Sequence, residues 1–474
     1  MKKFKINIYI PLLAVLLLAS GSCSKDFLDR KPAGGLPTDQ AITTADDMET
    51  ALSGVYAGLR SPNLYGRAVP LIGDLLADNV YLSQDNSNRY IDYFLVDYTV
   101  TDGDAQGIWQ SAYNIILNAN NVINCSLSGT DETDEFRGEA LTLRALMYFE
   151  LVKHFAKPFT VAPNGLGVPI ITTKDPFKKP ARNTTAEVYT QIEADLKAAI
   201  PLMTLERSSG YISSAAAEAL LARMYEFKAD WTNALATAQD VIDNSGYSLM
   251  TINQVSNYWK SNTARNDGVE TLFEVVNDLV GNAGIDALAY FYSQDGYGDA
   301  LASQSLYNTY SATDVRRSLI LTFSPVRGNV KVVNKYPNVT QPDKDEVKII
   351  RMSEVYLIAA EAAHNKATPD ETLSKQYLNA VATSRDASFA GYTSTGPALL
   401  NDILLERRKE LAFEGHRYWD LARYNLNVTR VNLSGNYSGV PLTISATDVR
   451  RILPIPQSEL DANPAIRTQQ NPGY

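Results

Sequence analysis

The feature that most constrains the fold is a pair of helical patterns separated by a short break, residues 213–249, "SSAAAEALLARMYEFKADWTNALATAQDVIDNSGYSL". Apolar residues recur at helical spacing on both sides of a break at residues 228–231. The small residues Ala216, Ala219 and Ala222 allow a neighbouring helix to approach closely. A helix pair cannot bury both of its faces alone, so this pattern predicts a stack of helices.

This unit has about the length of one tetratricopeptide repeat, a helix pair of roughly 34 residues. Residues 347–366 followed by 371–387 predict another such pair. Elsewhere, Thr44 with Asp47 and Thr184 with Glu187 have the spacing of capping boxes and predict two helix starts. The chain is therefore expected to be mainly α-helical.

The N-terminus predicts export. Residues 1–22 combine three lysines, an apolar stretch and small residues, as a secretory signal does, and the apolar stretch is too short to cross a bilayer comfortably. Cys23 stands where a lipoprotein signal peptidase would cleave, although Ser20 occupies a position where Leu is usual. We predict lipidation of Cys23 and a tether over residues 23–40. The alternative is a plain secretory signal with Cys23 there by chance.

The second cysteine, Cys125, lies at the end of a predicted helix. One disulfide between the two cysteines is possible in an exported protein. If Cys23 carries the lipid, Cys125 is unpaired and is best interpreted as a small buried apolar residue.

Charge and motifs argue against several classes of protein. The formal net charge of -10 does not suit a nucleic-acid partner, which requires clustered Lys and Arg. There is no nucleophile elbow, phosphate-binding loop or dinucleotide fingerprint. "DGDAQG", residues 102–107, imitates the start of a calcium loop, but Tyr113 replaces the Glu that such a loop requires, so Asp102 is interpreted as a helix N-cap. These patterns predict no cofactor and no metal.

Tyrosine is abundant in two long segments of weak periodicity, residues 61–104 and 247–345. The chain has 27 Tyr and only 4 Trp, and Tyr offers both a flat ring and a hydroxyl for recognition. Long irregular segments are usually functional or locally structured. For the tyrosines there, binding and packing remain equally good interpretations, and Trp259 is a possible stacking residue outside the scaffold.

The stretch "LLERRKELAFEGHRYWDLARYN", residues 404–425, resembles an active-site wall. On one helix its charges form a single stripe of mixed sign whose neighbours can pair at i,i+3 or i,i+4. We therefore predict a charged helix docked on the helical repeats. Gly415, which is costly inside a helix, predicts a close backbone approach.

Several motifs together resemble the SusD/RagB family of outer-membrane nutrient-binding lipoproteins of the Bacteroidetes. They are "CSKDFLD" after the signal, "WQSAYNIILNANNVI", "EALTLRALMYFELVKHFAKPF" with "GVPI", "RMSEVYLIAAEA", "ERRKELAFEGHRYWDLAR" and the tail "ILPIPQSELDANPAIRTQQNPGY". The last two are highly specific in combination. The resemblance extends over nearly the whole chain.

The resemblance implies a mainly α SusD-like fold of tetratricopeptide-like helix pairs with a variable, loop-rich lobe and minor β structure. It implies a lipid anchor in the outer membrane, facing the cell exterior, and no catalysis. It also implies a partner, a SusC-like TonB-dependent transporter that this protein covers as a lid while delivering its ligand. Family frequency favours glycan oligosaccharides as ligand, with oligopeptides as the alternative.

We expect residues 41–474 to form one body. Its helical scaffold is predicted over residues 41–246 and 346–390, its variable lobe over 247–345 and its C-terminal signature region over 391–474. The ligand is expected at residues 63–93 and 288–299. The candidate ligand-binding residues in these ranges are Tyr65, Asn79, Tyr81, Asn88, Tyr90, Tyr292, Asp295 and Tyr297.

Two other functions remain open from the sequence. A secreted glycan-active enzyme would need paired carboxylates, which can lie far apart in a sequence. A scaffold for protein partners alone would bind no small ligand.

Overall fold

The computed structural model describes residues 41–325, 327–342 and 344–474. The predicted signal, tether and Cys23 lie outside these ranges. The longer helices of the N-terminal half are α1 Ala45–Leu59, α2 Ala68–Leu75, α3 Ile91–Leu95, α4 Gly103–Ile123, α5 Asp131–Phe155, α6 Thr185–Ala199, α7 Ser214–Lys228 and α8 Trp231–Asn244. Those that follow are α9 Val255–Lys260, α10 Leu288–Tyr292, α11 Gln304–Tyr307, α12 Met352–Asn365, α13 Glu371–Thr383, α14 Pro397–Glu410, α15 Arg417–Arg423 and α16 Gln457–Ala462.

Three helices start where the sequence predicted. The Thr44 side chain caps α1 and the Thr184 side chain caps α6, each through a complete capping box. Asp102 caps α4 by accepting a hydrogen bond from the backbone N–H of Ala105. These caps satisfy backbone donors that have no partner inside the helix.

The helices stack on their sequence neighbours, which confirms the mainly α fold. Helix α4 packs on α1 and α5, α5 on α6, and α7 on α6 and α8. Helix α12 then packs on α8 and α13, across the intervening lobe. Helix α5 is buried over most of its length, so even its charged side chains are paired: Arg144 forms two hydrogen bonds of 2.8 and 2.6 Å with Asp195.

The β structure of the described residues consists of four antiparallel pairs of short strands. Its strands are β1 Val80–Leu82, β2 Thr271–Val275, β3 Ala300–Ala302, β4 Ile320–Leu321, β5 Val332–Val333, β6 Val347–Arg351, β7 Val428–Thr429 and β8 Thr443–Ile444. The pairs are β1 with β3, β2 with β6, β4 with β5 and β7 with β8. The lobe over residues 247–345 contains β2, β3, β4 and β5 and a small core of its own.

Strand β6 corrects the helix predicted from residue 347. The five residues before Met352 pair with β2, and helix α12 begins only after Arg351. The β-branched side chains of Val347, Ile349 and Ile350 favour the extended backbone, and pairing with β2 supplies their hydrogen bonds.

The charged stretch is also two helices and not one. Helix α14 ends at Glu410 and α15 begins at Arg417, because Phe413 and Gly415 adopt left-handed backbone conformations with φ of 67° and 79°. Gly415 makes the close approach that its sequence position predicted: a Cβ atom there would lie 2.5 Å from Cα of Pro70. Between residues 41 and 474, leaving out 326 and 343, no helix is both long and apolar enough to cross a membrane.

Candidate functional site

The pairing of β1 with β3 brings the two predicted ligand-binding ranges together. Val80 lies opposite Ala302 and Leu82 opposite Ala300, so the loop after β1 and the loop before β3 leave the same end of the pair. The backbone N–H of Ser87 donates to the Asp299 carboxylate over 3.0 Å and fixes one loop against the other. Two segments far apart in the sequence thus form one surface.

The exposed part of this surface, which we call the tyrosine face, consists of Asn88, Arg89, Tyr290, Asp295 and Tyr297. Asn88 and Asp295 are exposed, while the other three side chains are half-buried. The ring centroids of Tyr290 and Tyr297 lie 5.8 Å apart at 60°. Cζ of Arg89 lies 4.5 Å from the centre of the Tyr297 ring, a distance at which a cation is attracted to the ring.

Glycines allow the chain to fold Tyr297 back over Tyr290. The N–H groups of Tyr297 and Gly298 both donate to the Tyr290 carbonyl, over 2.7 and 3.2 Å. A Cβ at Gly296 would lie 2.6 Å from that carbonyl oxygen, and Gly298 has a φ of +57°. The turn that presents the two rings therefore requires glycine at both positions.

An ion pair with Asp286 connects Arg89 to the residues beneath the tyrosine face. Asp286 accepts from Arg89 over 3.2 Å and from Arg67 over 2.7 Å. Arg67 in turn donates to the hydroxyl of Tyr90 over 2.9 Å, and Tyr90 donates to Asp104 over 2.8 Å. The exposed guanidinium of Arg89 is thus connected to buried polar groups, which limits its motion.

A third loop completes the surface and was not predicted from the sequence. Arg327 donates to the carbonyls of Gly298 and Asp85, and to Gln294 over 3.3 Å. Its sequence neighbourhood carries no cluster of tyrosines that would have indicated the site. Arg89 and Tyr290 lie inside the predicted ranges but were not singled out, because a lone Arg or Tyr in a polar loop gives no signal of its orientation.

Five of the eight predicted ligand-binding residues are buried. The hydroxyl of Tyr65 donates to Glu150 over 2.9 Å, and that of Tyr292 donates to Asp74 over 2.6 Å. Asn79 accepts from Arg408 over 2.8 Å. Tyr81 and Tyr90 are each 6% exposed.

Burial also changes the chemistry of these buried groups. Loss of solvent raises the pKa of the Tyr65 and Tyr292 hydroxyls, and the adjacent carboxylates raise it further. Such hydroxyls remain neutral donors inside the protein. The assignment of ligand-binding residues therefore stays a prediction. Of the eight predicted residues, the three whose side chains reach the surface are Asn88, Asp295 and Tyr297.

Trp259 does not face solvent either. It packs in a small core with Met250, Val255, Tyr258 and Leu319. The ammonium group of Lys335 lies 4.1 Å from the centre of its ring. The single tryptophan outside the repeats is therefore part of the lobe's packing.

The tyrosine face is suited to holding a ligand with both an apolar face and many hydroxyl or amide groups. The rings offer flat apolar area, while the amide, carboxylate and guanidinium groups donate and accept hydrogen bonds. In the part of the chain that the structure describes, no group of three or more His, Cys, Asp or Glu side chains is placed to hold a metal ion.

Comparison with known proteins gives a consistent result over the whole chain. A SusD-like sequence profile described as "Starch-binding associating with outer membrane" matches residues 26–225, and the profile of the SusD family matches residues 287–474. SusD-like protein P2 of Formosa agariphila is 28% identical over 538 aligned positions, which cover 100% of both chains.

Solved structures agree with these matches. The crystal structure of a SusD superfamily protein from Bacteroides thetaiotaomicron superposes with a TM-score of 0.83 at 33% identity, covering 91% of this chain and 100% of that one. Surface glycan-binding protein A from Bacteroides thetaiotaomicron, solved in complex with laminarihexaose, superposes with a TM-score of 0.72 at 20% identity, covering 90% and 100% of the chains. At that identity the likeness shows a shared fold.

Proposed function

The chain belongs to the SusD/RagB family, and from this premise we propose that it is a lipid-anchored binding protein of the outer-membrane surface that captures glycan oligosaccharides. In this proposal it delivers them to a SusC-like TonB-dependent transporter, over which it acts as a lid. It performs no chemical step on the ligand. The observation that carries the proposal is the tyrosine face.

The tyrosine face supports a sugar ligand for physical reasons. A pyranose ring has an apolar face that fits against an aromatic ring and hydroxyls at its edge that need hydrogen-bond partners. Tyr290 and Tyr297 supply the rings, and Arg89 brings a guanidinium against the Tyr297 ring. Side chains held by ion pairs and a glycine-dependent turn lose little conformational freedom on binding, which favours affinity. The laminarihexaose held by a protein of the same fold also favours this ligand class.

Binding measurements on purified protein test the proposal. Isothermal titration with a panel of oligosaccharides and oligopeptides should give saturable binding of at least one oligosaccharide, and Tyr297→Ala should weaken it about tenfold. Tyr211→Ala is a matched control, because Tyr211 is also partly exposed and also carries a guanidinium on its ring, that of Arg207 at 3.7 Å.

Other outcomes of the same experiment would replace the proposal. Saturable binding of peptides alone would assign the oligopeptide role. Release of shortened sugars during incubation would indicate an enzyme. Equal loss of binding in the Tyr211 and Tyr297 variants would remove the tyrosine face from the binding site.

A further inference from the structure

A cavity lies between the end of α5, helix α15 and the segment 446–452, and none of its lining residues belongs to the tyrosine face. Its volume is about 200 Å³, and its walls include Val161, Trp419, Ala422 and Ile452. Ligand pockets for drug-sized molecules usually measure about 300–1,000 Å³, so this cavity fits one residue-sized unit. Most of the wall is apolar, with charged side chains at a few positions.

One of these charged side chains, Arg451, forms no close ion pair in the described residues, although it interacts electrostatically with Asp448. Its Nε and Nη2 atoms are buried without a hydrogen-bond partner, and no carboxylate within the described ranges forms an ion pair with it. The guanidinium lies 5.6 Å from the centre of the Tyr418 ring. Because a guanidinium is always charged and unpaired buried donors are costly, native proteins rarely leave one in this state.

The charged neighbours of Arg451 are already engaged. Asp448, which also lines the cavity, accepts from the backbone N–H of Arg450 over 2.9 Å and forms an ion pair with its side chain over 3.3 Å. Lys153 pairs with Glu150 over 2.8 Å. Lys157, at the same cavity, is an exposed cation. The cavity thus combines unmatched positive charge with apolar walls.

We propose that this cavity binds a small carboxylate that has an apolar body. The planar fork of the guanidinium matches a carboxylate and can donate two parallel hydrogen bonds to it. Trp419 and the aliphatic wall then cover the body of the ligand. The proposal does not depend on the function of the tyrosine face, since it uses other residues on other elements.

Titration of the purified full-length protein with defined probes tests this proposal. The acids are N-acetylphenylalanine, a peptide-like carboxylate, and glucuronate, a sugar carboxylate, and their uncharged amides are the controls. At least one acid should bind and its amide should bind at least about tenfold more weakly, because the charge-assisted bond is lost. The acid that binds identifies the source of the carboxylate. Binding of neither acid at millimolar concentration, equal binding of acid and amide, or equal binding of inorganic phosphate would overturn the proposal.

Two arginines provide a matched pair of variants. Arg451→Gln should weaken binding of the acid about tenfold or more, whereas Arg467→Gln, which removes the same charge from an exposed side chain that does not line the cavity, should change it less than about twofold. Equal effects would mean that only the general positive charge matters and would contradict the proposal.

Stability provides a readout that separates ligand binding from a structural role. Without ligand, Arg451→Met should leave the melting temperature unchanged or raise it, because it removes a partly buried charge that forms no close ion pair. A clear fall in melting temperature would show that the guanidinium already stabilises the fold and would overturn the proposal. Circular dichroism confirms that each variant is folded before titration.

Discussion

Several buried tyrosine hydroxyls in this protein serve as internal donors to carboxylates. Tyr65 donates to Glu150, Tyr90 to Asp104 and Tyr292 to Asp74. A carboxylate that receives such a bond is partly compensated for its loss of water. Most tyrosines of the irregular segments therefore contribute to packing. Only the few that reach the surface are candidates for ligand recognition.

The Asp74 carboxyl should make the stability of the protein depend on pH. Burial raises its pKa from 3.8 to about 7, although the bond from Tyr292 and the charge of Lys335 lower it. The folded state therefore keeps a proton that the unfolded chain has already lost, so stability from this group falls as pH rises from about 4 to about 7 and then stays constant.

Replacing Asp74 with Asn should remove that dependence. The neutral amide can still accept the hydrogen bond from Tyr292. The measured quantity is the free energy of unfolding of Asp74→Asn minus that of the natural protein. We expect this difference to be larger at about pH 8 than at about pH 5, by at least about 1 kcal/mol. Urea unfolding at the two pH values measures this difference. The same difference at both pH values would contradict the assigned cause.

At the scale of elements, the turn between α14 and α15 depends on a contact between two glycines. A Cβ at Gly73, on α2, would lie 2.1 Å from the carbonyl oxygen of Gly415, and one at Gly415 would lie 2.5 Å from Cα of Pro70. Gly415 also has a left-handed φ of 79°, which side chains rarely adopt. Helix α2 is thereby held against the start of α15.

Substitution at this contact should be costly. Gly415→Ala should lower the free energy of unfolding by about 2 kcal/mol or more, since both the backbone conformation and the contact oppose a Cβ. Gly54→Ala is the matched control: Gly54 lies inside α1 with nothing within 4 Å of the position that a Cβ atom would take, so alanine there should stabilise the protein by about 0.5–1 kcal/mol. Chemical denaturation measures both. An unchanged free energy of unfolding in Gly415→Ala would mean that the backbone of the turn moves enough to accommodate a Cβ atom.

The same turn places Glu414 among buried cations. Its carboxylate accepts from Arg351 over 2.7 and 2.8 Å and from Lys335 over 2.7 Å, and these charges hold its pKa below the usual range. Glu414→Ala should lower the free energy of unfolding by about 3–5 kcal/mol, because it leaves two buried cations without their partner.

The oligosaccharide affinity of the folded Glu414→Ala variant should not change, since the tyrosine face lies elsewhere. Titration of the folded fraction checks this. Loss of affinity without loss of stability would instead return the charged stretch to the candidate binding residues.

Local signals explain which elements could be predicted from the sequence. The capping boxes at Thr44 and Thr184 and the helix pair around residue 230 depend on residues close in sequence, and all were predicted. The strand before Met352 depends on β2, far along the chain, and was missed. At Gly415 the close backbone approach was predicted, but its partner Pro70 and the break between α14 and α15 were missed. For the candidate site, the two ranges were predicted from composition. Which of the tyrosines in these ranges face outward could not be predicted, because packing against α2, α4 and α5 determines which of them are buried.

At the scale of the whole molecule, the charged stretch connects helices that are distant in sequence. Arg407 on α14 pairs with Glu226 on α7 over 2.9 Å. Arg423 on α15 pairs with Glu361 on α12, with one hydrogen bond of 2.6 Å. The prediction that the stretch docks on the helical repeats is therefore confirmed, although the docking uses two short helices.

The proposed anchor makes a prediction about the whole protein in its cell. Cys23→Ala should move the protein from the membrane fraction to the soluble fraction, because the acyl chains that would hold it are no longer attached. Cell fractionation with immunoblotting measures the distribution, and Cys125→Ala, at a cysteine that is half-buried, is the control. Retention of the Cys23 variant in the membrane would contradict lipid anchoring at that position.

The pairing of Val80–Leu82 with Ala300–Ala302 also has a consequence for biogenesis. During synthesis and export, β1 emerges long before the segment that completes its sheet. Until then its backbone is an open strand edge, and such edges are templates for aggregation. The tyrosine face therefore cannot become ordered before Ala300–Ala302 has emerged, and a delay in export between the two strands should reduce the yield of native protein more than a delay near the C-terminus.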